Sequence, residues 1–238
     1  MAKGIFITGT DTGVGKSVAS AALALLLRRQ GHTVAVMKPV TSGALERDGK
    51  LVSEDAELLC FAAGTPLTPD CTPYLLKAPL APSVSASLEG VRIDFQVIRE
   101  AYLRLATQAE FIIVEGAGGL MVPLAGGLLM SDLAAHLALP IAVVARPDLG
   151  TVNHTLLTTF CARGLGLEVK GVIINRYPES PDQAAGYAPH LIASLSGAQL
   201  LGVFPEVAGE NDRAVVQGVV DLLERDPATI VMLRELFS

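Results

Sequence analysis

A glycine-rich segment near the amino terminus has the composition of a phosphate-binding loop. The apolar run Ile5–Thr8 leads into Gly9–Ser17, and a helical stretch follows at once. Glycines let backbone N–H groups turn toward phosphate oxygens, and the positive end of the following helix attracts the same anion. In such a loop the Lys16 ammonium reaches the β- and γ-phosphates, and the Ser17 hydroxyl binds Mg²⁺. The segment predicts a nucleotide phosphate site, although the loop is one residue longer than the usual spacing between its outer glycines.

Two carboxylates are candidate metal ligands. Glu115 follows the apolar run Phe111–Val114 and precedes a glycine-rich stretch, where the end of a neighbouring strand faces a metal bound at the loop. Asp55 follows Ser53 by two residues at a predicted helix start. That pattern is equally typical of a helix in which Ser53 is the cap and Asp55 favours the dipole. The residues alone leave both interpretations of Asp55 open.

Polar residues also end two other predicted strands. Lys38 follows Thr33–Met37, and Asn175 follows Gly171–Ile174. In open α/β sheets, ligands bind at the carboxyl ends of the strands, so these side chains are expected to converge with Glu115 on one site. A solvated strand end is the alternative for each residue taken alone.

Short apolar runs alternate with longer helical stretches along the whole chain. Continuous runs rich in Val and Ile are typical of strands buried on both faces of a parallel sheet. The predicted strands are Gly4–Thr8, Thr33–Met37, Phe111–Val114, Ile141–Ala145, Gly171–Ile174 and Leu200–Phe204. The predicted helices are Ser17–Gln30, Phe95–Ala109, Ser131–Leu137, Val152–Gly164, Ala184–Ser194 and Asp212–Glu224. This alternation predicts a doubly wound α/β fold, with a mostly parallel sheet flanked by helices.

The chain shows no repeat or linker, so we expect residues 1–238 to form one domain. Its least patterned part is Gly64–Gly90, which reads as one long excursion from the domain. Half of the residues are hydrophobic and 18% are charged, which excludes a disordered chain. The richest apolar stretch, Gly116–Ala145, is interrupted by five glycines and two prolines, which argues against a membrane span.

A net charge of −6 argues against nucleic-acid binding. Three cysteines without a CxxC pair indicate a reducing cytoplasm.

These segments together resemble the dethiobiotin synthetases, a family of P-loop ATP-dependent ligases. The resemblance runs in order from residue 4 to about 207, and the longer phosphate loop is the family's own variant. The matching segments are Thr8–Ser17, Lys38–Val40 with Ser42-Gly43, Asp55, Val114–Gly119, Gly150–His154 and Asn175.

The resemblance implies a cytoplasmic, Mg²⁺-dependent, homodimeric ligase of biotin biosynthesis. Such an enzyme converts 7,8-diaminopelargonic acid, CO₂ and ATP to dethiobiotin, ADP and phosphate. One amine adds to CO₂ to give a carbamate, phosphorylation turns it into a carbamic–phosphoric anhydride, and the second amine closes the ring. Because negative charge builds on carbamate and phosphate, the protein must supply cations and positioning.

The resemblance also implies roles for particular residues. Lys38 is the catalytic lysine, Lys16 acts beside it on the phosphates, and Ser17, Asp55 and Glu115 bind Mg²⁺. The implied nucleotide contacts are Gly13, Val14, Gly15, Lys16, Ser17, Asp55, Glu115, Gly116, Ala117, Gly118, Asn175, Arg176, Pro205, Glu206 and Val207. The implied diamine contacts are Thr12, Ser42 and, across the dimer interface, Gly150, Thr151, Val152 and Asn153.

The sequence departs from the family pattern at several positions. Gly13 replaces a glutamate of some relatives, and Ser17 replaces the commoner threonine but keeps the hydroxyl. Ala81-Pro82-Ser83 stands where many relatives have Ser-Pro-His, and Arg176 stands where some have aspartate.

Two other functions are weaker alternatives. An amidating ligase of cobalamin assembly needs an appended glutaminase domain, for which 238 residues leave no room. A switch ATPase of the chromosome-partitioning or septum-positioning kind carries a lysine early in the phosphate loop. This chain has Thr10, Asp11 and Thr12 there, and no lysine before Lys16 within the loop.

Overall fold

A computed structural model describes residues 2–237 of the chain. The strands are β1 (Lys3–Gly9), β2 (Val34–Met37), β3 (Val40–Ser42), β4 (Leu45–Arg47), β5 (Lys50–Val52), β6 (Tyr74–Leu76), β7 (Phe111–Gly119), β8 (Pro123–Ala125), β9 (Leu128–Leu129), β10 (Ile141–Ala145), β11 (Val169–Tyr177) and β12 (Leu200–Pro205). The helices are α1 (Lys16–Arg29), α2 (Glu54–Ala63), α3 (Pro82–Leu88), α4 (Phe95–Ala106), α5 (Met130–His136), α6 (Thr151–Gly164), α7 (Gln183–Leu195), α8 (Asp212–Leu223) and α9 (Ala228–Leu236).

Six strands form one parallel sheet in the order β12-β11-β10-β1-β7-β2. All six were predicted from their apolar runs. The runs are continuous because helices cover both faces of the sheet, and β10 is buried along its whole length. The predicted fold class is therefore confirmed.

The helices pack on the sheet in separate groups. Helix α1 packs on β1, β2 and β7 and also contacts α2 and α8, while α4 packs on β2, β7 and α5, and α6 packs on α7. Several helices begin at the caps that their sequences favour. Ser53 accepts a hydrogen bond from the backbone N–H of Ala56, and Asp94, Asp182 and Asn211 cap α4, α7 and α8 in the same way.

Two segments differ from the sequence prediction. Residues Gly64–Gly90 are not one structureless excursion, because they contain β6, which pairs in parallel with β3, and helix α3. These elements span three and seven residues, too few to show a period in the sequence. Helix α9 was missed, although its buried residues Thr229, Met232, Leu233 and Leu236 have helical spacing.

Strand order and register bring the candidate residues together. Strand β1 lies between β10 and β7, so the loop after β1 leaves the middle of the sheet. Met37 pairs with Val114, which places Lys38 and Glu115, the next residue of each chain segment, side by side. Ile7 pairs with Glu115, two residues before β1 ends at Gly9. Among residues 2–237, no helix combines the length and the apolar character that crossing a membrane requires.

Candidate functional site

The segment from Gly9 to Ser17 forms a tight turn between β1 and α1. Gly13 and Gly15 adopt positive φ angles of 72° and 85°, which side chains other than glycine rarely tolerate. Gly15 is the residue that precedes helix α1, and no side chain caps that helix. Its first N–H groups therefore stay free for an anion, in the geometry that phosphate groups use at helix N-termini.

Four side chains from separate parts of the chain meet beneath this loop. The Ser17 hydroxyl lies 2.7 Å from Asp55 Oδ1 and 2.9 Å from Glu115 Oε1. Lys38 Nζ lies 2.5 Å from Glu115 Oε1 and 2.9 Å from Asp55 Oδ2. Lys38 and Glu115 are both buried, with 5% and 0% of their surface exposed. The Lys38 side chain is therefore not a solvated strand end, and Asp55 does more than favour the α2 dipole.

Burial and neighbouring charges set the protonation of this cluster. Burial alone would lower the pKa of Lys38, but the charges of Glu115 and Asp55 outweigh it and raise that pKa. Burial alone would raise the pKa of Asp55, but the Lys38 charge and hydrogen bond lower it. Lys38 and Asp55 are therefore both charged near neutral pH.

Lys16 occupies a different electrostatic position. Burial, together with the positive charge of Lys38, lowers its pKa, and the carboxylates of Glu115 and Asp55 only partly oppose that shift. The nearest acceptor of its ammonium is the backbone carbonyl of Asp11, at 3.4 Å. Among the described residues, Lys16 has no carboxylate at ion-pair distance, which suits a residue whose partner is a phosphate.

The chemistry of the oxygens tests whether a magnesium ion fits here. One hydroxyl and two carboxylates converge, which are hard ligands of the kind Mg²⁺ prefers. Glu115 Oε2 is buried and has no hydrogen-bond partner in the described part of the chain, so this oxygen is available to a metal. Within residues 2–237, no group of three or more His, Cys, Asp or Glu side chains could hold a metal by itself. A site with few protein ligands is typical of Mg²⁺ bound together with substrate phosphates.

A cavity of about 590 Å³ opens from this cluster. Its walls combine the phosphate-loop side with an apolar side built from β3 and the segment before α3. The lining residues predicted from the sequence are Thr12, Gly13, Gly15, Lys16, Ser17, Lys38, Ser42, Asp55, Glu115, Ala117, Gly118 and Arg176. Gly116 lies behind the wall, where its carbonyl is 3.4 Å from Lys38 Nζ.

A second cavity, of about 380 Å³, lies on the other side of the loop. Thr12, Gly13, Val14, Arg176 and Glu206 line it, all of them predicted, together with Arg146, Pro147, Asp148 and Pro178. Thr12, Gly13 and Arg176 line both cavities, so the phosphate loop forms the partition between them.

Asn175 lies beneath the phosphate loop and supports it. Its amide Nδ2 donates to the backbone carbonyls of Val14 and Gly15, each at 3.1 Å, and the residue is 1% exposed. Its Oδ1 is buried without a partner in the described residues and is free to accept a hydrogen bond. Arg176 adopts a positive φ of 56° and donates to the Gly13 carbonyl at 3.1 Å.

Some predicted residues lie apart from these cavities. Gly150, Thr151, Val152 and Asn153 form the start of helix α6 and line neither cavity. Pro205 ends β12, and Glu206 alone of Pro205–Val207 reaches the second cavity.

Sequence reasoning missed several residues that build the site. Thr41 Oγ1 lies 2.8 Å from Ser53 Oγ, which links the segment after Lys38 to the cap of the helix that carries Asp55. The apolar wall of the larger cavity includes Val40, Pro79, Leu80 and Val122. No local sequence signal predicts this wall, because the residues of an apolar wall have no characteristic spacing.

Comparisons with known proteins show which family the chain belongs to. The family model described as an AAA domain matches residues 3–213. The ATP-dependent dethiobiotin synthetase BioD of Bacillus subtilis (strain 168) is 41% identical over 220 residues, which cover 92% of this chain and 94% of that protein.

Solved structures share the fold at much lower identity. The MinC:MinD cell division protein complex of Aquifex aeolicus matches with a TM-score of 0.60 and 16% identity, over 99% of this chain and 94% of that one. A ParA family ATPase of Chlorobium tepidum matches with a TM-score of 0.58 and 15% identity, over 100% and 98%. These similarities show the P-loop NTPase fold alone, whereas the sequence identity above extends over nearly the whole chain. The chain therefore belongs to the ATP-dependent dethiobiotin synthetase family.

Proposed function

We propose that this protein converts 7,8-diaminopelargonic acid, CO₂ and ATP to dethiobiotin, ADP and phosphate. One observation carries the proposal: Lys16, Lys38, Asp55 and Glu115 line one cavity, which continues into an apolar wall. The charged end suits a terminal phosphate, and the apolar end suits the aliphatic chain of a diamine. A phosphoryl-transfer site therefore adjoins a site for an extended organic substrate.

The two lysines have separate roles in the proposed reaction. Lys16 belongs to the phosphate loop and binds the transferred phosphoryl group, because among the described residues its ammonium has only a carbonyl partner, at 3.4 Å. Lys38 stabilises the carbamate and the phosphate as charge accumulates between them. Ring closure needs no protein nucleophile, because the second amine of the substrate attacks the activated carbonyl.

Ser17, Asp55 and Glu115 are the residues that would hold Mg²⁺. The ion would neutralise charge on the ATP phosphates during transfer. Ser17 contacts both carboxylates through one hydroxyl, which can donate only one proton. Its second short oxygen–oxygen contact is therefore better satisfied by a cation than by a hydrogen bond.

The remaining predicted contacts divide between the two cavities. In the larger one, Thr12 and Ser42 would contact the diamine, and the Ser42 hydroxyl is buried without a partner in the described residues. In the smaller one, Arg176 and Glu206 would flank the adenine of ATP, while Asn175 Oδ1 offers it an acceptor.

We also propose that two copies of the chain form the working enzyme. On helix α6, Asn153, Leu157, Phe160 and Gly164 share one exposed face at helical spacing, and Phe160 is 78% exposed. Leu149, at 84% exposure, extends the apolar surface past the start of the helix. A second copy that covers this face would bring the Gly150–Asn153 segment of one protomer to the cavity of the other, where its N–H groups could bind the diamine carboxylate.

Replacing Phe160 by aspartate is expected to dissociate the dimer. A charge in the middle of the apolar face should weaken association by about 30-fold or more, as for a central interface residue. Sedimentation velocity measures the shift, with Val97→Asp, on an exposed apolar residue of α4, as the control. An unchanged sedimentation coefficient for Phe160→Asp would exclude this face as the interface.

We further propose that residues 1–238 act as one ligase domain in the cytoplasm. A single buried core that reaches from Ile5 to Phe237 supports one domain. The cysteines Cys60, Cys71 and Cys161 are free thiols, which suits a reducing compartment.

The direct test supplies diaminopelargonate, bicarbonate, Mg²⁺ and ATP, and detects dethiobiotin by mass spectrometry. Dethiobiotin formed in proportion to ADP supports the proposal. ATP hydrolysis without a ureido product would instead favour a switch ATPase.

Replacing Ser17 by alanine should raise the Mg²⁺ concentration needed for half-maximal activity by about tenfold or more, since even indirect partners of a metal contribute that much. A Mg²⁺ titration at saturating ATP measures the change. Ser20→Ala is the matched control, because Ser20 lies one turn along α1 with a buried hydroxyl that has no partner in the described residues. Equal metal dependence in both variants would remove Ser17 from the metal site.

A further inference from the structure

The Lys38 ammonium occupies the space between the two proposed metal carboxylates. It contacts Asp55 Oδ2 at 2.9 Å and Glu115 Oε1 at 2.5 Å, so it bridges two side chains that come from different elements. It is buried there, and its positive charge offsets the charge of the two carboxylates. Lys38 thus bridges the two carboxylates that the proposed metal would bind.

Lys38 contacts the same two carboxylates that the proposed metal would use, Asp55 through Oδ2 and Glu115 through Oε1. Ser17 Oγ contacts Asp55 Oδ1 and shares Glu115 Oε1 with Lys38. Glu115 Oε2 alone among these carboxylate oxygens is buried without a partner in the described residues. A divalent cation that binds both carboxylates would lie beside the Lys38 ammonium. The two positive charges would then repel each other strongly, because the site is buried.

We propose that Lys38 and the divalent cation compete for the Asp55 and Glu115 carboxylates, so that cation binding displaces the ammonium into the larger cavity. The inference rests on the proposed metal site and adds a function for Lys38 before catalysis. The displaced ammonium has room, because Lys38 lines the cavity of about 590 Å³.

Because of this exchange, the Lys38 ammonium becomes available to a substrate only when the metal binds. While the lysine bridges Asp55 and Glu115, its charge is neutralised and is of little use to a carbamate. Once a cation takes over the two carboxylates, the ammonium lies free beside the wall where the diamine is proposed to bind. The site then presents the full positive charge of Lys38 only when the metal is bound.

Metal binding in the absence of nucleotide and substrate tests the exchange. Mn²⁺ is titrated into the protein, and free Mn²⁺ is measured by electron paramagnetic resonance. Lys38→Met keeps an unbranched side chain, one heavy atom shorter, but removes the competing charge, so this variant should bind Mn²⁺ about tenfold more tightly than the unchanged protein. Lys16→Met is the control, because it removes a charge from the same site without a carboxylate contact, and it should change the affinity less than about threefold. Equal or weaker binding by Lys38→Met, or an equal gain in both variants, would overturn the proposal.

A second measurement uses the unchanged protein and does not depend on the folding of a variant. In protein labelled with ¹³C at the lysine ε-carbon, the Lys38 resonance, assigned with Lys38→Arg, should shift as Mg²⁺ is added and should saturate with metal binding. A Lys38 resonance that stays fixed while Mg²⁺ binds would overturn the exchange. Neither experiment contains ATP or diamine, so exchange without dethiobiotin formation contradicts only the proposed reaction, and ring closure without exchange contradicts only this inference.

Discussion

Lys38→Met is expected to lower turnover by roughly 10²–10³-fold, the usual cost of losing one group that stabilises charge in a transition state. ATP affinity should not weaken, because the phosphate loop and Lys16 hold the nucleotide and the substitution leaves both intact. The loss should therefore appear in kcat rather than in the dissociation constant for ATP, which separates transition-state from ground-state stabilisation. Steady-state kinetics with dethiobiotin as the product, together with equilibrium ATP binding, measure the two quantities.

The control for this substitution must account for stability, because removing one partner of a buried ion pair costs about 3–5 kcal/mol. Both assays are therefore run at Mg²⁺ concentrations at which circular dichroism shows the variant folded. Lys77→Met is the matched control, since Lys77 is an exposed lysine that pairs with Glu46. Turnover of Lys38→Met within a few fold of that control would remove Lys38 from the mechanism.

The sheet could be predicted because each central strand carries its own signal. A strand covered on both faces must be apolar at every position, so Ile141–Ala145 reads as a strand without any knowledge of its neighbours. Parallel strands then place their carboxyl ends on one edge, which was enough to expect Lys38, Glu115 and Asn175 on the same side of the sheet.

The contacts within the site could not be predicted in the same way. The sequence suggested that Lys38 faces a phosphate, but not that it forms ion pairs with Asp55 and Glu115. Those pairs join residues that are 17 and 77 positions apart along the chain, and they depend on the register between β2 and β7 and on the position of α2. No local pattern encodes either quantity.

The contact between Asn175 and the phosphate loop could not be predicted from the sequence either. Resemblance assigned it to the adenine, whereas the structure shows that its amide supports the phosphate loop through the carbonyls of Val14 and Gly15. These two roles are compatible, because the loop uses Nδ2 and leaves Oδ1 free. The contacts of Asn175 depend on the space beneath the glycines of the loop. That space exists only in the folded structure and cannot be inferred from the sequence.

Gly15→Ala is expected to weaken ATP binding by roughly 10²-fold. A displaced loop loses hydrogen bonds to the phosphates, and each hydrogen bond to a charged group contributes about 1.5–3 kcal/mol. A Cβ at this position would lie much too close to Asn175 Nδ2, so the loop or the asparagine must move. The positive φ of 85° adds about 1–2 kcal/mol of backbone strain for a residue with a side chain. Gly166→Ala is the control, since Gly166 has a φ of 75° but open space around it, and it should show the strain without the loss of ATP affinity.

A double substitution separates the contact from the strain. Asn175→Ala removes the amide that the new Cβ would meet, so Gly15→Ala should destabilise the protein less in that background than in the unchanged chain. Thermal unfolding without nucleotide measures this coupling, because neighbours that share a contact give non-additive effects whereas independent sites add. Additive losses would mean that the backbone angle alone requires glycine at position 15. A positive coupling would mean that this glycine is needed because Asn175 packs against the loop, and that the phosphate site depends on a residue of β11 that lies 160 positions away in the sequence.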